Sequence, residues 1–293
     1  KEEQAAKAHA EEIERKQILK KRVSIAAICI VAVIALSVIL SIVGANAAAD
    51  ADKKLRNGVE YKLSGSCYIV TDCDESVSGE VKILSEYKGL PVKEIRSYAF
   101  SHCDNITSII IPDSITEIGE SAFAFLEKLS NVTLGNGITI INQKTFEYCT
   151  ALQEITLPNT VTTINSEAFR NCSSLSKITL PDNLSSIYNN AFSGCKKLTS
   201  ITLPKELEYI ASSAFSACEG LKEITIPQKV KNIHDRAFSG CTNLTTVNWN
   251  ATKCYTGYGE GDPIFENCPN LKTVNIGTNV TTIPSHTFEN CEN

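Results

Sequence analysis

Eight cysteines recur in this chain at a constant distance from a phenylalanine, and a repeated thiol raises the question of chemistry. Each lies three residues after its phenylalanine, at Cys103, Cys149, Cys172, Cys195, Cys218, Cys241, Cys268 and Cys291. A catalytic thiolate needs a nearby base and a lowered pKa, and the four histidines of the chain do not recur with these cysteines. Zinc sites use cysteines only a few residues apart. The pattern therefore indicates structural thiols.

Two redox states of these thiols are open. Stacked coils bring equivalent Cα atoms to about the 4.7–4.9 Å strand spacing, which a disulfide tolerates. Because all eight positions are alike, a ladder of small buried free thiols is favoured over disulfides. Cys67 and Cys73 lie outside the ladder, and there a disulfide and two free thiols are equally open.

Other chemical motifs are weak. Asp72, Asp74 and Glu75 cluster in the segment TDCDES, but this segment lacks the glycine and distal glutamate of an EF-hand loop, so a solvated acidic turn is favoured over calcium binding. The sequence contains no G-x-S-x-G, H-E-x-x-H or P-loop motif. We therefore expect no catalytic residue, no cofactor site and no metal site, and no enzymatic activity in this chain.

The elements that position these residues follow from a strong internal repeat. Nine of the ten phenylalanines share one register, with a step of 23 residues except for one step of 27. In the unit LQEITLPNTVTTINSEAFRNC, residues 152–172, the alternation around Ile155 predicts a half-buried strand, and Pro158 ends it because proline cannot donate to a ladder. A unit this short cannot bury its apolar residues alone, so stacked copies must form a continuous core.

The repeat I/L-P-x-x-V/L-x-x-I-x-x-x-A-F-x-x-C-x-x-L resembles the BspA-like (treponemal-type) leucine-rich repeats of surface proteins, over about residues 80–293. The resemblance implies an α/β-type repeat solenoid dominated by short β-strands. It also implies extracellular recognition and adhesion rather than one defined activity. The step of 27 residues adds a candidate binding loop, for which a tolerated surface loop is the alternative; its candidate residues are Tyr255, Tyr258, Glu260 and Asp262.

The outward side of the predicted strands is a second candidate surface. Its hydroxyl, amide and charged side chains form two columns, which a concave solenoid face commonly uses to dock an extended partner; they include Asn131, Thr133, Glu154, Thr156, Lys177, Thr179, Ser200, Thr202, Glu223 and Thr225. A threonine-rich β-surface without any binding role is the alternative.

The N-terminal part predicts a membrane anchor. The uncharged run Val23–Val43 is long enough as a helix to cross a hydrocarbon core of about 30 Å, and a cleaved signal peptide ending near Ala47 is the alternative. The basic residues before the run place the N-terminus in the cytoplasm. We expect this organisation: 1–22, cytoplasmic juxtamembrane helix; 23–43, transmembrane helix; 44–54, linker; 55–90, N-terminal cap; 91–293, repeats of a longer protein.

These features together predict a function in cell-surface recognition. Acidic residues outnumber basic ones, 33 to 28, so nucleic acid is not an expected partner. The expected partners are the membrane, through a single-pass anchor, and an extracellular protein or glycan, with no small-molecule substrate. The alternatives are the targeting module of a larger extracellular enzyme and the ectodomain of a transmembrane sensor.

Overall fold

A computed structural model describes residues 58–256, 262–289 and 291. These residues form eighteen β-strands and no α-helix. The strands are β1 Val59–Ser64, β2 Cys67–Cys73, β3 Ser78–Lys82, β4 Glu86–Tyr87, β5 Leu90–Ile95, β6 Asn105–Ile110, β7 Glu117–Ile118, β8 Asn131–Thr133, β9 Ile140–Ile141, β10 Glu154–Thr156, β11 Thr163–Ile164, β12 Lys177–Thr179, β13 Ser186–Ile187, β14 Tyr209–Ile210, β15 Glu223–Ile226, β16 Asn232–Ile233, β17 Thr246–Trp249 and β18 Thr273–Ile276.

Each repeat is one coil of a solenoid, and two of its sides are parallel β-ladders. The first ladder contains the sheets β3-β6-β8, β10-β12 and β15-β17-β18. The second ladder is one sheet of two-residue strands in the order β16-β14-β13-β11-β9. Between them the chain turns at the proline, where the backbone N–H of Val161 donates to the carbonyl of Pro158. The repeat therefore predicted the stacking and the strand of the first ladder correctly.

The third side of each coil shows that the expected α/β class is wrong. It is a run of turns in which the residues two before and two after the phenylalanine have positive φ, as at Glu167 (61°) and Asn171 (58°). A right-handed helix cannot contain such residues. The N–H groups of Glu167, Phe169 and Asn171 instead donate to carbonyls of the next coil at 2.7–2.8 Å. The backbone is thus satisfied between coils, and the described fold is all-β.

The core is a column of stacked aromatic rings. Phe169 and Phe192 are fully buried, and their ring centroids lie 5.3 Å apart with an interplanar angle of 2°. Equivalent pairs continue from Phe100 to Phe288. The inward side chains of both ladders pack around this column, as Ile155 and Ile164 do. Each coil therefore covers the apolar face of its neighbour, as the repeat length requires.

The segment predicted to be the N-terminal cap begins with a hairpin attached to the first coil. Strands β1 and β2 pair antiparallel, and β2 continues into the second side through parallel pairing with β5, which in turn pairs with β7. Cys67 and Cys73 are the first and last residues of β2, so their Cα atoms are about 20 Å apart at strand rise. A disulfide needs less than about 7 Å, so of the two open alternatives the structure has two free thiols.

The predicted juxtamembrane helix, membrane span and linker lie outside the described residues. Within the described part of the chain, no helix has the length and apolar character needed to cross a bilayer. The division of the chain into anchor, cap and repeats stays a prediction.

Candidate functional site

The recurring thiols are buried and bonded to the backbone. Sγ of Cys195 donates to the carbonyl oxygen of Phe169 at 3.2 Å, and every repeat cysteine from Cys149 to Cys291 bonds in the same way to the phenylalanine of the preceding coil, at 3.1–3.7 Å. Burial raises the pKa of Cys195 well above its ordinary value and that of Cys218 to about 12. The raised pKa values of Cys195 and Cys218 disfavour the thiolate that nucleophilic chemistry requires, whereas the hydrogen bond with Cys241 lowers the pKa of Cys268.

The ten candidate residues of the first ladder are all exposed. We name this surface the strand face: Asn131, Thr133, Glu154, Thr156, Lys177, Thr179, Ser200, Thr202, Glu223 and Thr225. Parallel pairing sets Glu154 opposite Lys177 and Thr156 opposite Thr179. The structure thus brings them together as two columns, although residues 200–202 form no strand. Whether the columns bind a partner stays a prediction.

The strand face ends in a polar network at its C-terminal coils. The Asn248 amide nitrogen donates to Glu223 Oε1 at 2.5 Å and to Thr225 Oγ1 at 3.2 Å. The Asn275 amide donates to Asn248 Oδ1 at 2.8 Å. These bonds hold side chains of three successive coils in one orientation, so this end of the strand face presents amides and hydroxyls at fixed spacing.

A cleft of about 310 Å³ opens beside this network. Its buried members include Leu203 and Pro227. Its polar members include Lys205, Thr225, Gln228, Asn250 and Asn279. Small ligand sites commonly combine an apolar floor with a few polar groups in a volume of this size. The cleft therefore adds a concave feature to the C-terminal end of the strand face.

Part of the repeat that contains the insertion lies within the described residues. Tyr255 extends the second ladder: its N–H donates to Lys231 at 2.9 Å, and its carbonyl accepts from Ile233 at 3.0 Å. Its side chain is 51% exposed, and Lys253 Nζ lies 5.4 Å from its ring centroid. Asp262 forms an ion pair of 3.1 Å with Arg236. Tyr258 and Glu260 lie outside the described residues.

A row of aromatic side chains on the second ladder was not predicted from the sequence. We name it the aromatic stripe: Tyr188, Tyr209, His234 and Tyr255. The centroids of Tyr188 and Tyr209 are 5.4 Å apart, and those of Tyr209 and His234 are 5.1 Å apart. The available signal was a departure from the repeat, because Tyr188 and His234 occupy a position that is Asn142 or Asn165 in earlier coils. The shared phenylalanine and cysteine register indicates only which positions lie in the core.

The solenoid described above matches a known repeat pattern over most of its length. The profile of the BspA type leucine-rich repeat region matches residues 88–196 and 163–293, with six copies. The chain belongs to the BspA-type leucine-rich repeat family. The recognition made from the A-F-x-x-C pattern is therefore confirmed.

Solved structures similar to this BspA-type chain come from several bacteria. A leucine-rich repeat protein of T. pallidum is 30% identical, with 66% of this chain and 79% of that chain covered and a TM-score of 0.47. A leucine rich cell surface protein from Faecalibacterium prausnitzii is 24% identical over 80% of this chain and 79% of that one, with a TM-score of 0.49. A search of curated proteins finds no match.

The acidic turn of this BspA-type protein is bonded internally. Asp74 Oδ1 accepts from the Ser76 N–H at 2.8 Å and from its hydroxyl at 2.6 Å, and these bonds lower the pKa of Asp74. Asp72 Oδ1 accepts from the Cys73 N–H at 2.8 Å. Over the described ranges, no group of histidine, cysteine, aspartate or glutamate has the arrangement of a metal site. The carboxylates serve to cap the turn.

Proposed function

We propose that this chain is a cell-surface recognition or adhesion protein that holds an extracellular protein or glycan against its strand face. The observation that carries the proposal is the alignment of ten exposed polar side chains in two columns along successive coils. Leucine-rich repeat solenoids act as scaffolds for interaction with other proteins through such surfaces. The partner best suited to two parallel columns is an extended segment that lies across several coils.

The rigidity of the solenoid supports this function. Both ladders and the turn side are bonded from coil to coil, as in the donations from Leu157 to Thr179 and from Phe169 to Ala191. A surface that is already ordered loses little conformational entropy when it binds. The polar network of Glu223, Asn248 and Asn275 also restricts the side chains before a partner arrives. Less of the interaction energy is then offset by the entropy lost in ordering these side chains, so more of it contributes to affinity.

The cell-surface location is part of the proposal. The apolar run Val23–Val43 and the basic residues before it support a single-pass anchor with the N-terminus in the cytoplasm and the repeats outside. Protease treatment of intact cells tests this orientation. The repeats should be digested while an N-terminal tag survives; protection of the repeats would contradict it.

The binding role is tested with the purified 293-residue chain in detergent, screened against immobilised extracellular matrix proteins and glycans. The variant Thr179→Lys places a long charged side chain at the centre of the strand face, and we expect at least about a tenfold loss of affinity from steric and charge mismatch. Thr139→Lys is the matched control, because Thr139 is exposed outside the strand face. Failure of the folded chain to bind any member of the panel, or equal losses of affinity in both variants, would contradict the proposal.

A further inference from the structure

The aromatic stripe lies on the surface of the second ladder, and its two central members, Tyr209 and His234, are half-buried. Tyr188 and Tyr255 are 39% and 51% exposed. The backbone of each residue is held by a neighbouring coil: the N–H of Tyr188 donates to Ile164 at 2.9 Å, and that of His234 donates to Ile210 at 3.0 Å. Exposed aromatic side chains on a fixed backbone are typical of binding surfaces.

The orientation of the rings leaves their faces available. In the core, Phe169 and Phe192 lie parallel, at 2°, and cover each other. In the stripe, Tyr209 is tilted by 46° against Tyr188 and by 56° against His234. Tilted rings cover only part of each other's faces, so each keeps a flat apolar surface beside polar atoms at its edge. Such a surface matches a ligand with alternating C–H faces and hydroxyl groups.

The charge around the stripe selects a neutral ligand. Glu208 and Lys231, which precede Tyr209 and Asn232 in the chain, are bonded to each other at 2.7 Å. The polar residues that share the outward column with Tyr209 and Tyr255 are Ser186 and Asn232, both uncharged. Lys253 Nζ lies over the Tyr255 ring, 5.4 Å from its centroid, and this cation–π contact already engages its charge. The remaining outward positions of the column carry no charge, so the ligand that fits them best is neutral.

The size of the stripe selects a small ligand over a protein. Its residues occupy four successive coils, so its length is about 14 Å at strand spacing, and its two columns are about 7 Å apart. The resulting area, about 100 Å², is far below the roughly 800 Å² that each partner buries in a stable protein interface. It is the size of a few sugar rings laid end to end.

We infer that the aromatic stripe is a binding site for a neutral saccharide chain, whose ring faces stack on Tyr188, Tyr209, His234 and Tyr255. Tyr255 stands 23 residues after Asn232 in the sequence and pairs with it at the end of this row. The regular register of the second ladder therefore extends the site by one coil. This site lies on a different ladder from the strand face and does not depend on the function proposed for that face.

The test uses the 293-residue chain on an array of neutral hexasaccharides built from glucose, mannose, galactose or N-acetylglucosamine, with acidic glycans and proteins on the same array. Affinity for the retained hexasaccharide is then measured by calorimetry. We expect Tyr209→Ala to weaken it by about tenfold and Tyr209→Phe to keep most of it, because the phenyl ring preserves stacking. His234→Ala is the second variant, in case the first alters folding.

The control is Tyr98→Ala, because Tyr98 is 57% exposed but lies on the turn side. Unchanged affinity in this variant and in Thr179→Lys supports the inference and separates it from the strand face. Failure of the folded chain to hold any neutral hexasaccharide, retention of acidic glycans or proteins alone, or wild-type affinity in both Tyr209→Ala and His234→Ala would overturn it.

Discussion

The thiol of Cys195 donates to the carbonyl oxygen of Phe169, one coil earlier, at 3.2 Å. The same carbonyl also accepts the N–H of Cys172 at 3.2 Å and thereby closes a turn. The thiol thus ties the corner of one coil to the turn of the previous one. The cysteine ladder therefore connects successive coils along the turn side, which contains no helix among the described residues.

This role predicts a stability loss on removal of the sulfur. Cys195→Ala should lower the free energy of unfolding by about 1–2 kcal/mol, from a lost weak hydrogen bond and a small cavity. Cys67→Ala is the control, because Cys67 is only partly buried at the edge of the cap, and it should change stability by less than about 0.5 kcal/mol. Urea unfolding measures both. Equal losses would show that the ladder bond does not contribute.

Burial of the thiols predicts a loss of stability at alkaline pH. An unfolded cysteine has a pKa of about 8.5, whereas burial raises the pKa of Cys218 to about 12 in the folded chain. The contribution is therefore complete below pH ~8.5 and is lost as pH rises towards ~12, at about 1.4 kcal/mol per pH unit.

Urea unfolding at pH 7.5 and pH 10 measures this effect. The decrease in unfolding free energy between the two values should be smaller in Cys218→Ala than in the wild type by about 2 kcal/mol, because one buried thiol no longer opposes ionisation. The same decrease in both proteins would contradict the assignment. Labelling with iodoacetamide under denaturing, non-reducing conditions also tests the free-thiol prediction, since disulfide-bonded cysteines would take up no label.

The two copies of AFSGC predict different tolerance at their glycines. Gly194 and Gly240 both have positive φ, 76° and 69°, so alanine should cost about 1 kcal/mol at either site. A Cβ at Gly194 would lie 2.3 Å from Asn171 Oδ1, whereas at Gly240 its nearest neighbour is 3.6 Å away. Gly194→Ala should therefore lower the thermal midpoint more. The difference should vanish when Asn171→Gly is added; if it persists, the contact is not its cause.

An ion cluster on the turn side predicts that the stability lost on replacing Arg170 depends on pH. Glu147 is buried, and its carboxylate lies 3.6 Å from Arg170 Nη1, which also bonds Glu167 at 2.7 Å. Burial raises the pKa of Glu147. Arg170→Ala should cost about 2 kcal/mol at pH 7, because the buried carboxylate loses a partner.

The penalty of Arg170→Ala should shrink at pH 4. Loss of the guanidinium raises the pKa of Glu147 further, so the carboxyl is protonated there and no longer needs a counter-charge. Lys196→Ala removes an exposed ion pair with Glu219 and should cost less than about 0.5 kcal/mol at both pH values. Unfolding free energies at pH 4 and pH 7 decide between these outcomes. A penalty independent of pH would rule out the charge explanation.

Sequence periodicity identified the core well, because each buried position must be apolar in every coil. Ile155, Phe169 and Cys172 are buried as the 23-residue register predicts. Periodicity did not specify the backbone of the turn side, where positive φ values at Glu167 and Asn171 exclude the helix that the α/β class implied by the resemblance would need. Glycine or asparagine occupies the second of these positions in several coils, as at Gly194 and Asn267, and is a signal for positive φ. The first position varies in residue type without that preference, so the sequence did not reveal the conformation of the whole turn side.

The sequence by itself determined the family, the stacking of coils and the inward positions, because these depend on a pattern that recurs along the chain. Tertiary structure decided which exposed residues meet. Tyr188 contacts Tyr209, and Tyr209 contacts His234, although none of these pairs is close in sequence or matched in repeat position. Coil stacking joins residues of adjacent repeats diagonally, and only the register of the second ladder specifies that geometry.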